Sequence, residues 1–318
     1  MNNAGSIQDG SIKREIRRFR WRLDGRELPF GVGCAWLSAE DNRDGNIDLL
    51  LRCYESGARF FDTSRDYGES ELMVGGMLRR IDRGSVFIAT KCDFHPEKPD
   101  AFETFKRRFY ESFERLGVDY IDLYQAHDTN DFSVTLPEVM PFLRERREEG
   151  LIRHIGLGTR SLAAHMNAIA CGQCDSALSY MDYNLLKRAA DPLIALAASR
   201  GCAFLNASVL LFGLLKSADP MTCRPMDSRN IPGTLHRAFA VKTREMCSRL
   251  GIDIIAASLQ YPMLNPDIDI TLNGIRRPSN LESTLKALRE PLHAEQWAAI
   301  EELQRTHPML RIPDEHNF

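Results

Sequence analysis

Nowhere in the 318 residues is there an unbroken apolar run of about 18 or more, so no transmembrane helix is expected. The opening residues, Met1 to Gly10, are polar and lack the apolar centre of a secretory signal. Strong basicity is also missing. The chain has 41 Lys and Arg against 44 Asp and Glu, a net charge of −3, which argues against nucleic acid as a partner. The eight cysteines, at 34, 53, 92, 171, 174, 202, 223 and 247, show no disulfide framework. One local pair, Cys171-Gly-Gln-Cys174, has neither a thioredoxin-like context nor a second pair of zinc ligands. It reads as incidental reduced thiols at a helix end. A chain of this length buries enough core to need no staples. No heptad stretch speaks to oligomeric state. These absences leave a cytoplasmic globular protein as the expectation.

What is present is a rhythm. Hydrophobic residues make up 43 % and charged residues 27 %, ordinary for a globular chain. Residues 1 to 16 read as a flexible tail, and the rest, 17–318, as one domain. Phe19, Trp21 and Leu23 alternate with Arg18, Arg20 and Arg22 ahead of Asp24-Gly25, which predicts a β-hairpin capping one end of the domain, its arginines solvated. From Pro29 onward, short apolar runs alternate with amphipathic stretches. Strands are predicted over Phe30–Trp36, Arg59–Asp62, Val86–Lys91, Ile121–His127, His154–Gly158, Ala177–Tyr183, Ala203–Ser208 and Ile268–Gly274. Helices are predicted over Asn46–Ser56, Ser70–Arg80, Asp100–Leu116, Leu136–Glu149, Ser161–Ala170, Pro192–Ala198, Leu235–Leu250 and Ser279–Leu288, with an extra C-terminal helix over His293–Gln304. Eight βα units match an α/β fold of the (β/α)8 (TIM) barrel type. The doubly wound alternative wants Gly-x-Gly-x-x-Gly after its first strand, and Gly31-Val-Gly33-Cys-Ala-Trp36 does not complete it. One connection, Leu214–Gly233, is long and carries Pro220, Pro225 and Pro232, as a lid over the mouth would.

Three consecutive predicted strands end in ionisable residues: Asp62, Lys91 and His127. In such a barrel the C-terminal strand ends surround the catalytic mouth, so these three become neighbours, with Tyr67 on the loop beyond Asp62. A free tyrosine titrates near ~10, too high to exchange protons readily at neutral pH. A nearby lysine cation favours tyrosinate, and a carboxylate holds that lysine charged. Asp62, Tyr67, Lys91 and His127 therefore suit proton transfer at a hydroxyl or carbonyl oxygen. No metal-ligand set accompanies them. Each residue alone reads equally as a salt bridge, a packed ring or a solvated tip; their clustering is the signal.

Phe61-Asp-Thr-Ser with Tyr67-Gly-x-Ser-Glu, Ala-Thr-Lys91, and Arg115-Leu-Gly-Val-Asp-Tyr-Ile-Asp-Leu-Tyr-Gln-Ala-His127-Asp resemble the aldo-keto reductases, from Gly31 to about Leu292. The resemblance implies a barrel binding NAD or NADP across its mouth, hydride transfer at a carbonyl or hydroxyl carbon, and Tyr67 as the acid or base. Asn206 to Leu215 is similar to the sugar-oxidising branch, the L-galactose and D-threo-aldose (L-fucose) dehydrogenases. The alternatives are a broad NADPH-dependent aldehyde reductase and a nucleotide-binding regulatory barrel.

The implied cofactor contacts are Gly158, Thr159, Tyr180, Ser208, Leu210, Gly213, Gly274, Arg276, Arg277, Asn280 and Thr284. The grip departs from the family's pattern. Gly158-Thr159 stands for its Ser-Asn, Tyr180 for its Gln, Ala207 for its stacking aromatic, and Thr284 for its Asn. A glycine before a helix N-terminus suits phosphate, and Arg276 with Arg277 suits a 2′-phosphate, or forms a solvated loop pair. The substrate, a small carbonyl compound or sugar, is expected against Trp36, Phe94 and His95.

Overall fold

The computed structural model describes residues 11–37, 39–127, 132–223, 233–307 and 310. The first element is a helix, α1 (Ser11–Arg18). It corrects the expected tail from residue 11 onward, and residues 1–10 lie outside the described residues. Ile12 and Ile16, one helical turn apart, are buried among residues of the barrel bore (Phe60, Phe87, Leu123, Ala203, Leu205 and Ile270). Charged neighbours masked this two-residue apolar stripe in the sequence.

The predicted hairpin follows as β1 (Trp21–Leu23) and β2 (Arg26–Leu28), with Trp21 facing Leu28. Asp24 and Gly25 both take positive φ, 49° and 77°, as the two-residue turn requires. The Trp21 indole donates to the Ser56 carbonyl (2.8 Å), and Arg22 N donates to Gly57 O (2.9 Å), which seats the hairpin on the barrel.

Eight parallel strands then close a barrel: β3 (Phe30–Gly33), β4 (Phe60–Asp62), β5 (Phe87–Asp93), β6 (Ile121–His127), β7 (Ile152–Gly158), β8 (Ser176–Tyr180), β9 (Ala203–Ala207) and β10 (Ile270–Gly274), with β10 paired to β3. Between and after them run α2 (Ala39–Glu55), α3 (Ser70–Leu78), α4 (Ala101–Leu116), α5 (Phe132–Glu148), α6 (Leu162–Ala170), α7 (Asp191–Ser199), α8 (Thr234–Arg249), α9 (Ile254–Gln260), α10 (Pro278–Arg289) and α11 (Ala294–Arg305). Every predicted strand and helix has its counterpart, with ends moved by a few residues. The short α9, capped by Asp253 accepting from Ile255 N (2.8 Å), was not expected. Its seven residues show too little periodicity to stand out. Of the long connection, residues 224–232 lie outside the described residues. Its first part is tied back to α8 by Arg237, which donates to the carbonyls of Pro220 (2.8 Å) and Cys223 (2.6 Å).

Strand pleating sorts the apolar residues into two cores. Phe61, Ile88, Tyr124 and Ile155 point outward and pack under the helices. Phe60, Phe87, Ala89, Leu123, Leu178 and Leu272 fill the bore. The same alternation carries Asp62, Lys91, Asp93, Gln125 and His127 onto the inner face at its C-terminal end, where the bore opens into a cavity. Among the described residues no helix is long and apolar enough to cross a membrane. All eight cysteines are free thiols. Cys171 is exposed, while Cys174 is buried and its thiol is hydrogen-bonded to the Cys202 thiol, across the start of β8 and β9.

Candidate active site

The connection from β4 to α3 is pinned at both ends. Arg65 N and Ser64 Oγ donate to the Lys91 carbonyl (2.9 and 3.0 Å), fixing the loop to the tip of β5. Ser70 Oγ bonds to Thr63 Oγ1 and to Cys34 O, each at 2.8 Å. Glu71, fully buried, accepts from Thr90 Oγ1 (2.8 Å) and pairs with Arg115 Nε (3.0 Å). Burial pushes its carboxyl up in spite of those bonds. The Arg115 guanidinium also reaches the Gly68 carbonyl. Two of the sequence motifs thus meet in one contact, and its product is the fixed position of Tyr67 between them.

Below that loop Lys91 is 1 % exposed. Its Nζ lies 2.5 Å from Asp62 Oδ2 and donates to the Thr63 carbonyl at 2.8 Å. Gln125 Nε2 donates to the other Asp62 oxygen (3.3 Å). The ammonium sits 4.9 Å from the centre of the Tyr67 ring, and the His127 imidazole meets that ring edge-on at 5.7 Å. Asp62, Tyr67, Lys91 and His127 are therefore brought together, as the strand ends suggested.

A carboxylate that sequence reasoning did not single out joins them. Asp93 is paired with His127 in the β5–β6 register, and its Oδ1 lies 2.5 Å from His127 Nδ1. Burial alone raises this carboxyl. The close approach and charge of His127, with the charges of His95 and Arg108, outweigh burial and hold it below the ordinary value. Its backbone N donates to Asp66 Oδ2 (2.8 Å), and Asp66 Oδ1 pairs with Arg108 (2.6 Å). The available sequence signal was its spacing, two residues past Lys91 and hence on the same face.

Asp62, Asp66, Tyr67, Asp93, Arg108 and His127 line one side of a cavity of about 990 Å³, and Lys91 is not itself among its lining residues. Of the other expected residues, Trp36, His95, Tyr180, Ser208, Leu210, Gly213, Gly274, Arg276, Arg277 and Asn280 also line it. Phe94 does not. Its ring is buried outside the bore, edge-on to Phe105 at 6.1 Å, because pleating turns it away from the face of Asp93. Gly158 lies behind Lys91 and His127, 3.4 and 3.7 Å from where a Cβ would stand. Thr159 is buried and accepts from Ser161 N (3.2 Å). Thr284 is buried too, and supports from behind a lining residue, Asn273, whose amide donates to it (2.9 Å). Asn273 and Phe212 are lining residues the sequence did not single out, and Lys216 belongs to the long connection expected over the mouth. After β9 the backbone is strained. Ser208, Leu211 and Phe212 all have φ between 51° and 60°, and the Phe212 ring meets Trp36 edge-on at 5.8 Å. Non-glycine residues in this region are seldom kept without a functional constraint.

The donor set fits a dinucleotide. Gly274 brings its backbone so near Trp36 that a Cβ would stand 2.7 Å from the indole. Beyond it, the Arg276 and Arg277 amides donate to Asn280 Oδ1 (3.4 and 3.2 Å), shaping the N-terminus of α10 with two guanidinium side chains beside it. A helix N-terminus with arginines is a phosphate-binding arrangement.

Comparison with known proteins agrees with this geometry. The chain is 30 % identical over 257 residues to L-galactose dehydrogenase of Arabidopsis thaliana, covering 78 % of this chain and 79 % of that one. It is 25 % identical over 284 residues to D-threo-aldose 1-dehydrogenase of a Pseudomonas species, covering 80 % and 86 %. The holo form of an aldo-keto reductase from Bacillus halodurans shares the fold, with a TM-score of 0.69 at 22 % identity over 89 % of this chain and 95 % of that one. Residues 30–305 match the aldo/keto reductase family, and the chain belongs to that family.

Proposed function

We propose that this protein is an oxidoreductase that interconverts the hydroxyl and carbonyl forms of a small sugar or aldehyde, using NAD or NADP. The observation that carries this reading is the Lys91 ammonium, paired to Asp62 at 2.5 Å and lying 4.9 Å from the Tyr67 ring, with His127 edge-on at 5.7 Å. When bound, the nicotinamide supplies or accepts the hydride.

The chain's own residues do the rest. Tyr67 moves the proton at the substrate oxygen. Lys91 stabilises the phenolate by charge, and Asp62 with the Thr63 carbonyl keeps that ammonium in place. His127 positions the same oxygen. Arg276, Arg277 and the start of α10 hold the phosphate end of the cofactor, while Ser208, Leu210, Gly213 and Tyr180 border its path. Trp36 and His95 lie toward the substrate. The sugar dehydrogenases among the relatives favour an aldose as substrate, with Tyr67 acting as base.

The test is a panel of free aldoses with NAD or NADP, set against simple aldehydes with NADPH. Turnover of at least one class is expected. Tyr67→Phe should lower kcat by about 100-fold or more while nucleotide affinity, read by fluorescence titration, changes little. Full activity in that variant would remove Tyr67 from the proposed role.

A further inference from the structure

Asp93 stands where no part of the proposed proton transfer requires a carboxylate. It is nonetheless held more firmly than a solvated loop residue. Its backbone N is bonded to Asp66, Asp66 is bonded to Arg108 of α4, and its side chain reaches His127. The second carboxylate oxygen faces His95 at 3.7 Å. Asp66 immediately precedes Tyr67, so one chain of contacts links the tyrosine's loop, the end of β5 and the histidine.

We propose that Asp93 is a positioning residue for His127: it accepts the Nδ1 proton, so that the ring meets substrate through Nε2. A neutral histidine carries one ring proton, and whichever nitrogen is bonded to a carboxylate keeps it. With Nδ1 protonated, Nε2 accepts from a substrate hydroxyl. When the ring takes a second proton, Nε2 donates to a carbonyl oxygen and Asp93 supplies the balancing charge. Without Asp93 the proton distributes between the two nitrogens, and part of the population presents the wrong one. The register that pairs Asp93 with His127 and the anchoring through Asp66 leave the carboxylate little freedom to swing away.

The assignment rests on the oxidoreductase reading above, in which His127 faces the substrate oxygen, and the experiment separates the two. Full-length protein labelled with 15N-histidine is compared with Asp93→Ala by long-range 1H–15N correlation at mildly alkaline pH, the His127 signals being identified by their loss in His127→Gln. The Nδ1 resonance is expected at the protonated position in the wild type and shifted toward the unprotonated one in Asp93→Ala. In parallel, kcat for the preferred substrate should fall about 10- to 100-fold, by analogy with the loss of an orienting partner from a metal-bound histidine, with nucleotide affinity changed less than about twofold. Asp93→Glu and Asp93→Gln, alike in size and different in charge, make the same comparison should the alanine variant not fold. Glu is expected to retain more activity than Gln.

An unmoved Nδ1 resonance, or wild-type kcat in Asp93→Ala, would overturn the assignment and leave the reaction standing. A wild type that turns over no aldose or aldehyde would overturn the reaction, while the resonance would still decide whether Asp93 holds His127.

Discussion

Lys91 is a cation with almost no water around it, its side chain 2 % exposed, so its charge must be balanced locally. Asp62 provides that balance, and the pair confines the ammonium to one side of the Tyr67 ring. Neighbouring residues show how little sequence distance says about role. Phe94 is core and His95 is cavity lining, because adjacent strand residues face opposite ways. Arg276 and Arg277 both line the cavity at the start of α10, consistent with a 2′-phosphate between them. Replacing both with Met should then weaken NADPH by about tenfold or more and NADH much less, since each charge-assisted bond is worth roughly 1.5–3 kcal/mol. Titration with the two nucleotides checks this. Equal losses would place the arginines on the shared pyrophosphate instead. The tetrad was readable as residues because Asp62, Lys91 and His127 each close an apolar run and Tyr67 follows Asp62 on the next loop. Asp93 was not, because its partner is chosen by cross-strand register, which no local pattern reports.

At the scale of elements, α1 is the instructive case. A tail of polar composition turned out to donate two isoleucines to the bore, with Lys13 paired to Asp269 (3.4 Å) and Glu15 to His154 (2.8 Å) around them. The Phe19 ring extends the contact to Phe87, 5.8 Å away. The Ile16 side chain is fully buried, so Ile16→Ala is expected to cost about 2–5 kcal/mol, the range for emptying a core position. Urea denaturation at neutral pH measures it. A cost below about 1 kcal/mol would mean that α1 detaches readily from the bore. Helices with a long amphipathic run or a clear cap were legible, as were strands that alternate or end in a charge. Short elements such as α1 and α9 were not, since tertiary burial rather than propensity holds them.

For the molecule as a whole, closing β10 against β3 makes an interior that is filled at one end and open at the other. The buried polar groups needed to pin its connections carry a pH signature. His165, fully buried, bonds through Nε2 to the carbonyls of Thr159 (3.0 Å) and Leu178 (3.1 Å), tying α6 to the ends of β7 and β8. Burial pushes it down from 6.5 to about 4. Between those values the unfolded chain binds a proton there that the folded chain does not, so stability falls as pH is lowered through that window and is regained above it. Urea midpoints should drop between about pH 7 and about pH 5, and the drop should be smaller in His165→Asn, in which no such proton can bind. An unchanged slope in the variant would assign the pH dependence to other groups.

Contiguous patterns in the chain were enough to read the barrel, the succession of its strands and the cluster of Asp62, Tyr67, Lys91 and His127 near its mouth. Those features rest on local periodicity and on charges that interrupt apolar runs, and both are properties of contiguous residues. The folded arrangement alone shows that α1 fills the bore, that Thr284 supports the wall from behind instead of lining it, and that Asp93 lies against His127. Each of these depends on which residues of distant segments come to lie on the same face of a closed sheet. Strand register and barrel closure set that, and neither is written in any one stretch of the chain.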